Sequence, residues 1–337
     1  MSNIYKGKKI LIIGGTGTIG QHLLKTLLTH QPEVIRIFSR DEHKQFELQQ
    51  KMYKHRNIRY LIGDVRDEKR LIRAMEDIDY VFHLAAMKHV PACEYNPFEA
   101  VKTNVIGTQN VIQAATTMDV KRVLFTSTDK AIAPANTYGA TKLTAERLIS
   151  AAEYQKGPKQ TIFSSVRFGN VMGSRGSVIP LFKKQIVEEQ RITVTNLDML
   201  RYMMTPSQAI SLILEANERA YGGEVFVLKM PVIKLKDLVD IIIEEVSKKH
   251  NIPRGRIDIQ EIGLRPGEKM YEELMTEDEA RIALEDEEMF VLQSPYRNVE
   301  AQYVKKLSLI GKAPAPLQEN VIDKETLRKW LITEQLI

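Results

Sequence analysis

Residues 8–30 read KKILIIGGTGTIGQHLLKTLLTH, and this stretch decides the fold. Its first half is a short apolar run typical of a buried strand, and its second half places leucines on one face of a helix. Glycines between the two let the backbone approach a pyrophosphate, and the helix N-terminus supplies free N–H groups. The bland alternative is a tight strand–helix turn without a ligand. The pattern favours dinucleotide binding through Gly14, Thr16, Gly17, Thr18, Ile19 and Gly20.

The same alternation continues through the first half of the chain. Strand-like segments follow at EVIRIFSR, IRYLIGD, DYVFHLAA, KRVLFTST and TIFSSVRF, with helical patterns between them. Regular strand–helix alternation implies parallel strands with right-handed crossovers, so the expected fold is α/β with a doubly wound parallel sheet. Beyond about Gly169 the rhythm loosens, which predicts a smaller, less regular lobe. In that lobe, RPGEKMYEELM is predicted to be a loop that leads into a helix.

Composition narrows the class of protein. The 337 residues carry a formal net charge of +5 with scattered Lys and Arg, which favours anionic small molecules over nucleic acid as partners. One cysteine, Cys93, excludes an intramolecular disulfide, and no Cys/His spacing suggests a metal site. The N-terminus lacks a cleavage site and no apolar stretch reaches membrane-spanning length. We therefore expect a cytoplasmic protein with no membrane partner and no metal.

The end of the second strand bears on the choice of cofactor. NAD-binding domains usually place an acidic residue there to bind the ribose hydroxyls. This chain has Ser39 and Arg40 instead, with Lys44 one helical turn on, and a hydroxyl with two cations suits a 2′-phosphate. Asp41 and Glu42 partly cancel that field, and the alternative is a solvated loop of mixed charge. We predict NADP, with NAD less favoured; Asp64 and Val65, after the third strand, are placed to contact adenine.

The stretch FTSTDKAIAPANTYGATKL, residues 125–143, carries the candidate chemistry. Tyr138 and Lys142 lie four residues apart and share a helix face. A nearby ammonium and a positive nicotinamide lower the pKa of a tyrosine, which then accepts a proton from a sugar hydroxyl. Hydride transfer does not require the adjacent Asp129 and Lys130. These two are either an additional acid–base pair or a silent ion pair in a loop, and only a local bend near Thr128 lets both reach one substrate.

At this point the chain resembles the extended short-chain dehydrogenase/reductase superfamily, and within it the polysaccharide-biosynthesis branch that contains the UDP-N-acetylglucosamine 4,6-dehydratases. Taken together and in order, the matching segments are highly specific. They are GGTGTIG, SRDEHKQ, GDVRD, HLAAMKHVPACEYNP, NVIGTQNV, STDKAIAPANTYGATKL, RFGNVMGSRGSVIPLF, ITVT and RPGEKMYEEL. The resemblance implies a Rossmann-type NADP-binding domain over 1–170, also receiving segments from about 200–230, and a mainly substrate-binding, interleaved lobe over 171–337.

The resemblance also implies a role for each catalytic candidate. Tyr138, supported by Lys142 and Thr128, deprotonates the carbon 4 hydroxyl while hydride passes to NADP. Lys130 then removes the hydrogen on carbon 5, and Asp129 protonates the departing carbon 6 hydroxyl. Hydride returns to carbon 6 and leaves a 4-keto-6-deoxy sugar with the cofactor unchanged. A tyrosine at position 138 and a soluble N-terminal region resemble the group that inverts carbon 5.

Further residues are assigned by position and resemblance. Ala85, Ala86 and Lys88 follow the fourth strand, at the sheet edge where ligands bind. The resemblance implies that Lys88 meets both cofactor and sugar, and it assigns substrate contacts to Asn170, Ser174, Arg175, Thr195 and Arg265. PYRNVE is only a weak counterpart of an expected substrate segment. His83 and His89 are predicted to be packing or hydrogen-bonded residues.

The expected partners are a UDP-sugar substrate and other copies of the chain. Helices at 96–118 and 138–155 are predicted to form a homo-oligomer interface. Two rival functions stay open. A sugar-nucleotide 4-epimerase needs Tyr138 and Lys142 but no acid–base pair at 129 and 130, and an NADP-binding sensor needs no catalytic residues at all.

Overall fold

The computed structural model describes residues 3–174, 176–294, 308–309 and 320–337. The chain divides into two compact units. The first comprises Met1–Phe168, Ile210–Lys229 and the described residues of Met275–Ala313. The second comprises Gly169–Ala209, Met230–Leu274 and the described residues of Pro314–Ile337.

The first unit is built on a ten-stranded sheet. Its strands are β1 (Lys9–Ile13), β2 (Val34–Ser39), β3 (Ile58–Ile62), β4 (Tyr80–His83), β5 (Arg122–Thr126), β6 (Ile162–Arg167), β10 (Val225–Leu228), β13 (Leu284–Glu285), β14 (Met289–Leu292) and β15 (Ser308–Leu309). They lie in the order β15-β13-β14-β10-β6-β5-β4-β1-β2-β3. The seven strands from β10 to β3 pair in parallel, and β14, β13 and β15 add antiparallel pairs. The predicted α/β fold with a doubly wound, mainly parallel sheet is confirmed.

Helices connect the parallel strands. They are α1 (Thr18–Thr29), α2 (Glu42–Lys51), α3 (Glu68–Met75), α4 (Val90–Tyr95), α5 (Pro97–Ala100), α6 (Gly107–Thr117), α7 (Thr137–Gln155) and α11 (Glu277–Ile282), with α9 (Pro206–Arg219) falling mostly in this unit. A π-helical segment, Val101–Ile106, joins α5 to α6 where the sequence predicts one continuous helix. Apolar side chains of β1, β5, α3, α6 and α7 form one core, including Leu11, Phe125, Leu71, Val111 and Ile149. This core fixes the strand ends on which the site residues stand.

The second unit contains two small sheets. The strands are β7 (Asn170–Val171), β8 (Arg191–Val194), β9 (Leu200–Met204), β11 (Val232–Lys234) and β12 (Asp258–Glu261), paired as β11-β9-β7 and β12-β8. The helices are α8 (Val178–Glu189), α10 (Leu235–His250) and α12 (Lys324–Thr333). Their apolar faces share a core that includes Phe182, Ile186, Ile242 and Leu331.

RPGEKMYEELM is a loop that leads into a helix, as predicted, and the helix begins just after this segment. Residues 264–276 form turns and bends, and the next helix begins at Glu277. A capping box fixes the start there: the Thr276 side chain accepts from the Glu279 N–H, and Glu279 reaches back to the Thr276 N–H.

Candidate active site

The glycine loop between β1 and α1 is packed too closely for larger side chains. Gly14 has φ +84°, and a Cβ added there would lie 2.8 Å from the Ala85 backbone nitrogen. A Cβ at Gly20 would lie 2.6 Å from the Gly15 Cα. The N-cap residue of α1 is Gly17, which has no side chain to cap the helix. The loop thus brings backbone N–H groups and a helix N-terminus to the sheet edge beside Ala85, as pyrophosphate binding requires.

The side chains predicted to bind a 2′-phosphate are already engaged. Ser39 Oγ accepts from Gln45 Nε2 at 3.0 Å. Lys44 Nζ pairs with Asp41 Oδ2 at 2.5 Å, and Asp41 also caps α2 through the Lys44 N–H. Arg40 Nη1 lies 3.7 Å from Asp64 Oδ2 and its side chain is 56% exposed. Asp41 therefore does reduce the positive charge at this site, because it pairs directly with Lys44, one of the two cations.

The predicted adenine contacts lie in different surroundings. Asp64 is half-buried, and although burial opposes ionisation, the side-chain and backbone hydrogen bonds from Arg66 keep its pKa below the ordinary value. Val65 is 5% exposed and belongs to the core, where a Cβ on Gly107 would lie 2.7 Å from its Cγ2. The adenine contacts of both residues stay predictions.

The local bend that the acid–base pair needs is present directly after Thr128. Thr128 is extended, with φ −151° and ψ 152°, and the chain turns through a 3₁₀ segment at Asp129–Ala131. Thr128 Oγ1 donates to Asp129 Oδ1 at 2.9 Å, and Lys130 Nζ donates to the same oxygen at 3.0 Å. Asp129 is fully buried, and its Oδ2 has no hydrogen-bond partner among the described residues. The turn therefore holds an acid and a base in contact.

Tyr138 joins this group from the first turn of α7. Its hydroxyl is hydrogen-bonded to the Thr128 side chain. Burial raises the pKa of Tyr138, while the Thr128 hydrogen bond and the Lys130 charge pull it down. Asn136 caps α7 by accepting from the Gly139 N–H at 2.8 Å. The structure thus brings together Thr128, Asp129, Lys130 and Tyr138.

Lys142 lies one turn further along the same helix face. It is 3% exposed, its Nζ donates to the Thr126 carbonyl at 2.6 Å, and it lies 3.9 Å from the Phe125 ring centroid. Burial lowers the pKa of Lys142 to about 7, against an opposing contribution from Glu146. The pKa of Tyr138 is raised, chiefly by burial, and Lys130 is a cation that lowers it. The joint effect of Lys142 and a nicotinamide on this pKa stays a prediction.

Two residues near the site escaped the sequence analysis. Asn104, in the π-helical segment, accepts from the Met87 N–H at 2.8 Å and donates to the Met87 carbonyl and to Thr141 Oγ1, each at 3.0 Å. It fixes the loop of Ala85, Ala86 and the exposed Lys88 to α7. Gly139 is the second, since a Cβ there would lie 2.0 Å from the Lys130 carbonyl oxygen. The pattern NVIGTQNV marks Asn104 as part of a motif but not its two contacts.

The prediction for His83 is confirmed. It is fully buried, its Nε2 lies 3.0 Å from Thr108 Oγ1, and Thr108 itself donates to the Asn104 carbonyl. Burial lowers the pKa of His83 to about 3, so the ring is neutral.

The predicted substrate residues lie in the second unit, apart from Lys88. Thr195 Oγ1 donates to Glu268 Oε2 at 3.4 Å, and the Arg265 N–H donates to the same oxygen at 3.2 Å. Arg201, which the sequence analysis missed, donates to the Lys269 and Met270 carbonyls and so orients the same loop. Asn170 lies in β7 and Ser174 in the turn after it, both half-buried. Arg175 and PYRNVE lie outside the described residues.

Known proteins match most of the chain. A family model described as "Polysaccharide biosynthesis protein" matches residues 10–294. A Methanocaldococcus jannaschii protein described as an uncharacterized membrane protein is 52% identical over 331 residues, 98% of this chain and 97% of that protein. A Campylobacter jejuni UDP-N-acetylglucosamine 4,6-dehydratase (inverting) is 42% identical over 311 residues, 92% of this chain and 90% of that protein.

A relative described by a different activity and a solved structure also match the chain. A Rickettsia massiliae UDP-glucose 4-epimerase is 39% identical over 280 residues, 82% of this chain and 80% of that protein. The X-ray structure of Pen from Bacillus thuringiensis is 57% identical with a TM-score of 0.90, covering 99% of each chain. Within the described ranges, no helix has both the length and the apolar character needed to cross a membrane. The chain belongs to the polysaccharide-biosynthesis family of the extended short-chain dehydrogenases/reductases, whose members include nucleotide-sugar dehydratases and epimerases.

Proposed function

We propose that the chain is a nucleotide-sugar 4,6-dehydratase that converts UDP-N-acetylglucosamine to a UDP-4-keto-6-deoxy-N-acetylhexosamine with inversion at carbon 5. One observation carries the proposal. Asp129 and Lys130 are in contact on a turn whose Thr128 is hydrogen-bonded to the Tyr138 hydroxyl. Oxidation of a sugar hydroxyl needs only the tyrosine and Lys142, whereas removal of water needs a second acid and a base near the same ring.

Each residue then moves one proton. Tyr138 accepts the proton of the carbon 4 hydroxyl, and Lys142 supports its ionisation. Lys130, in its neutral form, accepts the proton on carbon 5, which the neighbouring ketone acidifies. Asp129, in its protonated form, donates to the hydroxyl that leaves carbon 6 as water, and carbon 5 then regains a proton on its opposite face, which inverts that carbon. The 3.0 Å contact between Lys130 Nζ and Asp129 Oδ1 lets one proton convert the resting ion pair into this neutral acid and base.

The cofactor proposed for this reaction is NADP, which when bound supplies the hydride acceptor and donor. Its pyrophosphate is held at the glycine loop, where the Gly14 and Gly20 positions leave no room for a side chain. The absence of an acidic side chain at Ser39 and the exposed guanidinium of Arg40 support NADP over NAD. Lys44 serves the 2′-phosphate only after release from Asp41.

The substrate and its stereochemistry follow from the relatives and from the second unit. The 42% identity to an inverting UDP-N-acetylglucosamine 4,6-dehydratase supports both the sugar and the inversion. We assign diphosphate binding to Arg265 because a guanidinium fork matches phosphate oxygens, and sugar contacts to Lys88, Asn170, Ser174, Arg175 and Thr195. Running the reaction in heavy water and reading carbon 5 by NMR tests the inversion.

A UDP-sugar 4-epimerase is the alternative function, supported by the 39% identity to a UDP-glucose 4-epimerase. Mass spectrometry after incubation with UDP-N-acetylglucosamine separates the two. A dehydratase product has lost one water, whereas an epimerase product has the mass of the substrate. An unchanged mass with a new stereoisomer excludes the dehydratase, and no turnover at all leaves the NADP-binding sensor.

We also propose a cytoplasmic homo-oligomer. Phe98, Ile106 and Tyr154 are 66%, 47% and 72% exposed, and they lie in the two helical regions predicted to meet another copy. Such large exposed apolar side chains are enriched at interfaces between subunits. Light scattering coupled to gel filtration tests the oligomer, and a monomeric mass contradicts it.

A further inference from the structure

A chain of alternating charges runs from Lys142 to the edge of the first unit. Glu146 follows Lys142 by one helical turn on α7 and is fully buried. Arg167, on β6 and also fully buried, contacts both oxygens of Glu146, at 2.6 Å through Nη2 and 3.2 Å through Nε. The remaining Arg167 donors contact both oxygens of Glu279 at 2.8 and 3.0 Å. Arg147 ends the series 3.6 Å from Glu279.

Lys142 and Glu146 lie four residues apart on α7, so the lack of an ion pair between them needs an explanation. Residues four apart on a helix are neighbours close enough for an ion pair, although Lys before Glu is the less favourable order. A buried pair is held more strongly than an exposed one, because few water molecules screen it. Within the described part of the chain, however, Lys142 forms no ion pair, and its Nζ bonds the Thr126 carbonyl instead. Arg167 occupies the carboxylate that Lys142 would otherwise contact.

The other groups that face Lys142 do not replace Glu146. From β4, His83 contributes no charge, because its buried ring is neutral and hydrogen-bonded to Thr108. From β5, the Phe125 ring and the Thr126 carbonyl contact the ammonium without carrying a net charge. Glu146 is therefore the charged group on which the state of Lys142 depends.

We propose that Arg167 is a positioning residue for Lys142: by holding both oxygens of Glu146, it prevents a Glu146–Lys142 ion pair and keeps Lys142 on the Thr126 carbonyl beside Tyr138. The inference rests on the proposed function only in giving Lys142 a part in catalysis. Without Arg167 the buried Glu146 carboxylate lacks its partner and attracts the Lys142 ammonium. Lys142 then keeps its proton to higher pH. Glu279 acts one step further away, since it holds the second edge of the Arg167 guanidinium.

The test reads Lys142 directly and needs no turnover. The full-length chain is labelled with carbon-13 at the lysine ε position, in the same cofactor state for every variant, and the Lys142 signal is identified by its loss in Lys142→Arg. Its chemical shift is followed against pH in the wild type, Arg167→Met, Glu146→Gln and the double variant. Glu279→Gln is the matched control, because it loosens Arg167 and leaves its contacts with Glu146. Circular dichroism and Tm report folding for each.

We expect Lys142 of the wild type to titrate near neutral pH and that of Arg167→Met at least about one unit higher. Glu146→Gln and the double variant should titrate below the wild-type value, because the Glu146 charge raises the Lys142 pKa, and Glu279→Gln should titrate close to the wild type. A folded Arg167→Met with the wild-type titration overturns the proposal, as does Glu279→Gln shifting Lys142 equally far. If Arg167→Met does not fold, Glu146→Gln decides, since an unmoved Lys142 titration there removes the coupling.

If the chain catalyses the proposed reaction, the alkaline limb of its pH–rate profile should move to higher pH in Arg167→Met and return in the double variant, because protonated Lys142 supports the ionisation of Tyr138. A merely structural role for Arg167 predicts the same lowered rate in both, with the limb unmoved. An inactive chain in which Lys142 still shifts as expected rejects the proposed function but supports the positioning by Arg167. The two failures are thus distinguishable.

Discussion

Gly139→Ala tests whether the contact between the Asp129–Ala131 turn and α7 sets the geometry for elimination. The added Cβ would lie 2.0 Å from the Lys130 carbonyl oxygen and 3.0 Å from its carbonyl carbon. Both clashes involve backbone, so a side-chain rotation does not relieve them. The turn must move by about 1 Å to restore a tolerable contact. Asp129 and Lys130 move with it, whereas Tyr138 and Lys142 stay on the helix.

A displacement of about 1 Å lowers the rate of a positioned reaction by roughly 100-fold. We therefore expect Gly139→Ala to form dehydrated sugar roughly 100-fold more slowly than the wild type, as measured by mass spectrometry. Oxidation at carbon 4 should suffer less, because its residues keep their places. Reduced nicotinamide should then accumulate during turnover and be visible by absorbance, since the hydride is not returned to carbon 6.

Gly255→Ala is the matched control, because a Cβ there meets nothing within 4 Å. Both variants should remain folded by circular dichroism, since overpacking at one site typically costs 1–3 kcal/mol. If Gly139→Ala dehydrates the sugar at the wild-type rate, either Asp129 and Lys130 do not take part in the reaction or their positions do not depend on the contact between the turn and Gly139. Equal loss of oxidation and elimination refutes the separation of the two steps.

Three other predictions follow from the same contacts. Asp129→Asn should fold, because Thr128 and Lys130 can still donate to its amide oxygen, and should lose at least about 100-fold in dehydration measured by product mass. Burial lowers the Lys142 pKa from 10.5 to about 7, so the unfolded chain binds a proton that the folded chain lacks between those values, and stability rises with pH there. Lys142→Met should therefore raise Tm most below about pH 7 and progressively less toward about pH 10. Arg40→Ala should raise KM for NADP by roughly 10-fold while leaving KM for NAD unchanged in initial-rate measurements.

The order of elements was predictable because it depends on local patterns. A buried strand, a glycine loop and an amphipathic helix each leave a mark within a few residues, and their alternation fixes the parallel sheet. The helix expected to follow the RPGEKMYEELM loop has a local cause as well, since the capping box at Thr276 and Glu279 sets the start of α11. The π-helical Val101–Ile106 departs from a regular helix while its Asn104 bonds Met87, a contact 17 residues away in sequence.

In the candidate site, too, the features set by nearby residues were predictable and those set by distant contacts were not. Asp129, Lys130 and Tyr138 stand out as residue types in one short stretch, but the sequence does not show whether the backbone near Thr128 bends. The bend lies at 129–131, where the turn packs against Gly139, the one residue type without a Cβ to obstruct it. The surroundings of Lys142 depend on Thr126, Phe125 and, through Glu146, on partners in distant segments. A motif therefore identifies which groups react, whereas their protonation states depend on contacts that only the folded chain creates.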